Sequence, residues 1–317
     1  MLISRTRLFL LLAVSLLCRT GLAEEKSTES DKKSEDTPRF IRVITNPDNG
    51  QLVSMDTAIA RYQLKREGKE TVVVDLIGAV HIGEKDYYDK LEKLFKQYDA
   101  LLYELVAPKG TTIPKGGKRE TENPLSALQK FMKDALRLEF QLEQIDYQAK
   151  NFVHADMSPD EFAKSMKRLN ESPLTMFLQL MRASMAQQAE RKSQVSDALL
   201  LAALFDRKNG PVVLKRALAQ ELGSSDIMLD ALNGPNGSTI LTERNKVALE
   251  VMREQIKAGK TKIGIFYGAA HPKDMHERLI EKDKMTLEEL TWLKAWDLHI
   301  DLPEKAKTEE ESKASSN

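Results

Sequence analysis

Apolar positions recur along this chain with two different periods, and the change from one to the other marks its elements. Arg39 to Thr45 alternates polar and apolar residues, Pro47-Asp48-Asn49-Gly50 has turn chemistry, and Ser54 to Leu64 alternates again, which predicts two strands. Glu67-Gly68 turns the chain into Thr71 to Ile77 (TVVVDLI), an almost unbroken apolar run suited to a strand buried on both faces. From Glu84 to Tyr98 the apolar residues Tyr87, Tyr88, Leu91, Leu94 and Phe95 follow helical spacing, and Asp99 to Val106 (DALLYELV) is again strand-like. Strand, helix and strand in direct succession predict a βαβ unit with parallel strands.

The middle of the chain reads as helical. Leu125 to Gln148 is amphipathic, and Phe152 to Ala155 forms a short strand. Ser158-Pro159-Asp160-Glu161 combines an N-cap, an N1 proline and an N3 glutamate. Further helices are expected over Leu174 to Phe205 and Val212 to Leu222. Met166, Met176, Met181 and Met185 in this region read as core filler rather than as a methionine-lined ligand groove. Thr242 is the expected cap of a helix from Glu243 to Lys257, stopped by Gly259. Lys262 to Tyr267 (KIGIFY) is a third buried strand, and His276 to Lys282 is helical. Thr286-x-x-Glu289 has the form of a second capping box, and Trp292 to Ile300 is expected as the last strand. The order predicts an α/β fold: a mixed, partly parallel central sheet with flanking helices and a large helical insert at about 122–258.

Composition adds the ends of the chain. Arg5 and Arg7, the apolar run Leu8 to Leu17, and Gly21-Leu22-Ala23 form a secretory signal peptide over 1–23. The run is too short for a mature transmembrane helix, which needs roughly twenty residues; a retained anchor is the alternative to cleavage after Ala23. Cys18 is preceded by Leu17 where a lipoprotein signal wants a small residue. Residues 24–38 and 304–317 lack the apolar content to offset ordering entropy and read as a linker and a tail around a domain at 39–303. The expectation is therefore an exported protein, periplasmic or extracellular, with no stable membrane span after signal cleavage. The single cysteine lies in the signal, so the mature chain has no disulfide, Cys-ligated zinc or Cys nucleophile. Lys plus Arg and Asp plus Glu balance at 48 each, which argues against a nucleic-acid partner.

The candidate chemistry lies at strand ends. The first buried strand runs into Gly78-Ala79-Val80-His81 and the third into Gly268-Ala269-Ala270-His271. In each, a glycine that lets the chain turn and another group approach is followed by a histidine. Both histidines are delivered above the carboxyl edge of the sheet, where open α/β folds bind ligands. Glu104 closes the middle strand and is expected beside the strand carrying His81. Two histidines and a carboxylate make a three-ligand site with an open position, suited to zinc, manganese, cobalt or iron. A strand-end histidine taken singly is more often a hydrogen-bonded packing residue; the repetition is what favours a site.

These residues carry a resemblance. LIGAVHIGEKDYYDKL with YDALLYELV, then LTERNKVALEVM, then IGIFYGAAHPKDMHERL resembles the TraB/GumN/TIKI superfamily from about Val72 to Leu279. The positions matching its motifs are Gly78 and His81, Glu104, Arg244 within Glu243-Arg244-Asn245, and Gly268 and His271. The resemblance implies divalent-metal-dependent proteolysis, as described for TIKI members, or haem binding, as in relatives of that fold. A glycine commonly stands three residues after the second histidine of that superfamily, where this chain has Asp274.

The leading expectation is metal-assisted hydrolysis of a peptide or protein, with His81, His271 and Glu104 as ligands. Alternatively, Glu104 acts as general base between two polarising imidazoles. Arg244 is expected to stabilise an oxyanion or anchor a carboxylate, or else to form a helix N-terminal salt bridge with Glu243 or an insert residue. His154 and Asp156 form a secondary cluster, with Asp156 read chiefly as a turn residue; His276 and His299 read as structural or solvated. A non-catalytic haem-, metal- or peptide-binding protein and a cell-envelope scaffold are the rival classes. No Gly-x-Ser-x-Gly, His-Glu-x-x-His, phosphate-loop or dinucleotide motif is present.

Overall fold

The computed structural model describes residues 38–300, apart from 69, 115, 117–132, 173, 177, 180–196, 224–232 and 234–236. The expected signal peptide, most of the linker, the tail, Met181, Met185 and much of the expected 125–148 and 174–205 helices lie outside the described residues.

Seven strands form one mixed sheet. β1 (Ile41–Thr45), β2 (Leu52–Leu64) and β3 (Val72–Ala79) are antiparallel neighbours, and β9 (Thr286–Asp297) pairs antiparallel with β2. Beyond β3 the sheet is parallel, in the order β3, β8 (Lys262–Gly268), β5 (Ala100–Tyr103), β7 (Phe152–His154). A two-residue ribbon, β4 (Ile82–Gly83) with β6 (Glu139–Phe140), stands apart from it. The expected α/β class and mixed sheet are therefore present.

The central strands β3, β5 and β8 are buried on both faces, which is why they read as near-continuous apolar runs. On one face, Ile77, Leu101 and Phe266 pack with Tyr87, Tyr88, Leu91 and Phe95 of α1 (Lys85–Phe95) and with Trp296. On the other, Val74, Leu76, Leu102 and Ile265 meet two later helices. Ala248, Leu249 and Met252 come from α6 (Arg244–Lys257), and Met275 and Leu279 from α7 (Pro272–Glu281). Adjacent residues Phe266 and Tyr267 belong to opposite faces, as the pleat requires.

Between β5 and α6 lie α2 (Gln141–Gln144), β7, α3 (Pro159–Arg168), α4 (Asp197–Phe205) and α5 (Gly210–Gly223). The insert is thus not purely helical, because β7 supplies the edge strand of the main sheet. The Ser158–Glu161 capping box is formed as expected, with Pro159 at the helix start.

Three expectations are corrected. The helix expected to run through to Gln148 is broken at Arg137, whose φ is 52°, and the chain then crosses into β6. Pairing of Ile82 with Phe140 and of Gly83 with Glu139 overrides the helical periodicity there. Thr242 does not cap α6: a π-helical turn, Thr239–Glu243, precedes it and is capped by the Ser238 side chain accepting from Leu241 N–H. Thr286 and Glu289 lie in β9, not in a helix, because ten positions of β2 pair with this segment. Among the described residues no helix is long and apolar enough to cross a membrane.

Candidate functional site

The two Gly-x-x-His segments lie side by side because β3 and β8 are parallel neighbours in register. Gly78 pairs with Tyr267, Ala79 pairs with Gly268, and Ala269 N–H donates to Ala79 O at 2.8 Å. Both strands run one or two residues further than their apolar patterns suggest, so the glycines are strand residues. Neither has a positive φ, and the expected glycine-dependent sharp turn is absent. Their value is close approach. A Cβ on Gly268 would stand 3.2 Å from Glu104 Oε2, 3.7 Å from His271 Cδ2 and 3.9 Å from His81 Nε2. Atoms of three of the predicted site residues therefore come within 4 Å of the one position that a Gly268 Cβ would occupy. The first segment is held from below by α1, where Tyr87 donates to Gly78 O and Tyr88 to Val80 O.

Glu104 follows β5, and its neighbour is β8 rather than β3, so it stands beside the strand leading to His271 and not the one carrying His81. Its carboxylate accepts from Gly268 N–H through Oε2 at 2.6 Å and from Arg244 Nη2 through Oε1 at 2.7 Å. His271 Nε2 faces the same Oε1 at 3.6 Å, longer than a hydrogen bond. Burial pushes the Glu104 carboxyl up, but the Arg244 guanidinium and the Gly268 N–H outweigh it. The group is held well below the usual carboxylate range. It is an anion at neutral pH.

Arg244 is buried at the start of α6, where the π-helical turn delivers it over the strand ends. It also grips Asp156, with Nε to Oδ1 at 2.9 Å and a second bond from Nη2 to Oδ2 at 2.5 Å, while Nη1 reaches Ile240 O at 3.4 Å. Four of its five N–H groups are engaged. Of the two ion-pair partners expected for Arg244, the insert residue is the one used, as Asp156, while Glu243 turns instead to Arg168 and Lys246. Asp156 stands in a bend, as expected, but it is buried, only 2% exposed, as a counter-ion of Arg244. His154 stays outside the cluster; its Nε2 donates to Leu105 O at 2.7 Å and its ring packs edge-on against Tyr103. His276 is half-buried against Tyr62, whose hydroxyl meets its Nδ1 at 2.8 Å, and His299 is exposed beside Asp297.

The two motif histidines are held alike by residues to which the sequence assigned no role. His271, 4% exposed, places Nδ1 2.6 Å from Asn245 Oδ1. Asn245 Nδ2 donates to Asp274 Oδ2 at 2.8 Å and to His271 O at 3.3 Å. A carboxylate only accepts, so Asp274 forces the Asn245 oxygen toward the ring, and His271 Nδ1 must carry the proton. Asp274 is thus an orienting residue. On the other side, the exposed His81 sets Nδ1 3.2 Å from Gln141 Oε1, while Gln141 Nε2 donates to Tyr147 OH at 2.7 Å. Burial raises the Tyr147 hydroxyl above its ordinary pKa, so it stays protonated. Asn245 was visible inside the Glu-Arg-Asn triplet. Gln141 carried no signal, because its segment reads as the inside of a longer helix.

Among the described residues, no three His, Asp, Glu or Cys side chains stand together closely enough to form a ready metal set. His271 Nε2 and Glu104 Oε1, 3.6 Å apart, have the separation of two ligands on one ion, each about 2 Å from it. His81 Nε2 comes within 3.9 Å of the position that a Gly268 Cβ would occupy. Neither a protein-family model nor a curated protein nor a solved structure matches this chain.

Proposed function

We propose that the chain is an exported, TraB/GumN-like, metal-dependent hydrolase acting on peptides or proteins. The observation that carries the reading is the grouping of His81, Glu104 and His271 around Gly268, at the carboxyl ends of parallel strands. The choice of a peptide bond, and of export, rests on the resemblance and on the signal-like first 23 residues.

His81, His271 and Glu104 would hold the divalent ion: zinc, manganese or cobalt. Once bound, the ion would lower the pKa of a water and polarise the scissile carbonyl. The donor chemistry fits, since His271 turns a nitrogen with an uncommitted edge toward a carboxylate that is already ionised. A carboxylate stabilised so strongly is a poor proton acceptor, which favours Glu104 as ligand over Glu104 as general base. Arg244 neutralises Glu104 and Asp156 together and fixes the carboxylate plane. With four N–H groups committed, it has one left for a substrate oxygen, so its chief role is to clamp Glu104.

The test is metal analysis of the purified protein beside His81→Ala and His271→Ala, with peptide cleavage measured before and after chelation. Metal in the parent, lost in both variants, together with cleavage restored by added metal, is the expected result. Undiminished metal in both variants overturns the ligand assignment. A Soret band on haem titration, lost in His81→Ala, replaces hydrolysis with haem binding.

A further inference from the structure

The two histidines differ in what supports them. His271 is fixed by Asn245 and Asp274, on the helices α6 and α7 that pack against the sheet. His81 receives its support from the insert. Gln141 N–H donates to His81 O at 2.9 Å, and Gln141 Oε1 faces His81 Nδ1 at 3.2 Å. The next residues along, Ile82 and Gly83, pair with Phe140 and Glu139. Gln141 is itself buried and is held by Tyr147, whose ring stacks edge-on against Tyr103, the residue before Glu104.

We infer that Gln141 is a positioning residue of the candidate site: its side-chain oxygen accepts the Nδ1 proton of His81 and turns a proton-free Nε2 toward Gly268. The inference rests on the proposed metal reading for its purpose but not for its geometry. A histidine ligates through one nitrogen, and the acceptor on the other nitrogen decides which is free. His271 has that arrangement through Asn245, and the insert supplies the matching half for His81. The segment Glu139–Tyr147 thereby belongs to the site, and its seating on β4 ties the insert to the one motif histidine that is exposed.

Long-range proton–nitrogen correlation spectra of the ¹⁵N-histidine-labelled full chain test this directly, with assignments from His81→Ala and His271→Ala. The chain has five histidines, so the spectra resolve individual rings. In the metal-free parent, both motif rings should carry the proton on Nδ1. Gln141→Leu should leave the His81 ring averaging between tautomers with His271 unchanged, and should weaken zinc binding about 10- to 100-fold. Gln141→Glu, whose carboxylate still accepts from Nδ1, should keep both the tautomer and the affinity. A parent His81 protonated on Nε2, or an unchanged His81 signal in Gln141→Leu, overturns the inference. If Gln141→Leu does not fold, the parent and Gln141→Glu spectra decide it. If the tautomers are as expected and the parent binds no zinc, the role of Gln141 stands and the metal reading falls.

Discussion

Arg244 Nη2 donates to Glu104 Oε1 at 2.7 Å while the same guanidinium grips Asp156, so one cation holds two acids whose side chains are 13% and 0% exposed. The arrangement explains why the sequence presents a strand-end glutamate and a helix-start arginine so far apart. Neither acid can be buried as an anion without that cation.

Arg244→Met follows from this pairing. It leaves Asp156 and Glu104 as buried, uncompensated charges, and breaking such a pair costs about 3–5 kcal/mol. Arg244→Lys should recover part of the loss, since a point charge cannot reproduce the forked contact. Urea unfolding measures both; a loss below about 1 kcal/mol in Arg244→Met would show that the pairing does not persist in solution.

Acid should act on the same cluster. The Glu104 pKa is depressed in the folded state, so its contribution is fully present above its unfolded value, about 4.3, and is lost as pH falls from there toward the lower folded pKa. In metal-free protein, the stability difference between the parent and Glu104→Gln should therefore be constant near neutrality and shrink below about pH 4. Denaturant titrations at stepped pH provide the check. A difference that instead grows on acidification would mean that Glu104 is not an ion pair member.

The βαβ start, the third buried strand and both motif histidines were legible because apolar periodicity and a repeated strand ending are local signals. What was not legible depends on pairing across the chain. Glu104 beside β8 rather than β3 follows from strand order, which sequence adjacency does not reveal. The 137–140 segment leaves its helical pattern because Ile82 and Gly83 offer it a partner, and Thr286 to Asp297 is a strand because β2 templates it. Asp156 reads locally as a turn residue, and only the three-dimensional structure shows the buried Arg244 against it. The Thr242 cap is displaced for a local reason, since Ser238, four residues earlier, begins the turn.

The two motif glycines should respond differently to the same methyl group. On Gly78 the added Cβ meets Ala58 O at 3.4 Å and Ala269 at 3.6 Å, ordinary contacts at a negative φ. On Gly268 it presses within 3.2 Å of the Glu104 oxygen that accepts from the Gly268 N–H. Gly78→Ala is expected to change stability by less than about 1 kcal/mol and to keep the site. Gly268→Ala should displace Glu104 and reduce zinc binding and cleavage at least about tenfold, since site geometry is sensitive to shifts of a few tenths of an ångström. Equal effects from the two substitutions would remove the special role given to Gly268.

The motif histidines should also separate by stability while agreeing in function. His271 is 4% exposed, and removing its ring leaves a cavity and an unpaired Asn245 oxygen in a fully buried setting. His271→Ala should therefore lose about 2–4 kcal/mol, the range for core truncation with a stranded polar partner. His81 is exposed, and its loss frees Gln141, which keeps Tyr147 and its backbone bond to His81 O. His81→Ala should stay within about 1 kcal/mol of the parent. If both are ligands, calorimetry of zinc binding should nonetheless show both variants severely weakened. Full affinity in the stable His81→Ala would reduce the site to the His271–Glu104 pair. Full affinity in both would leave the repeated strand endings as a structural motif.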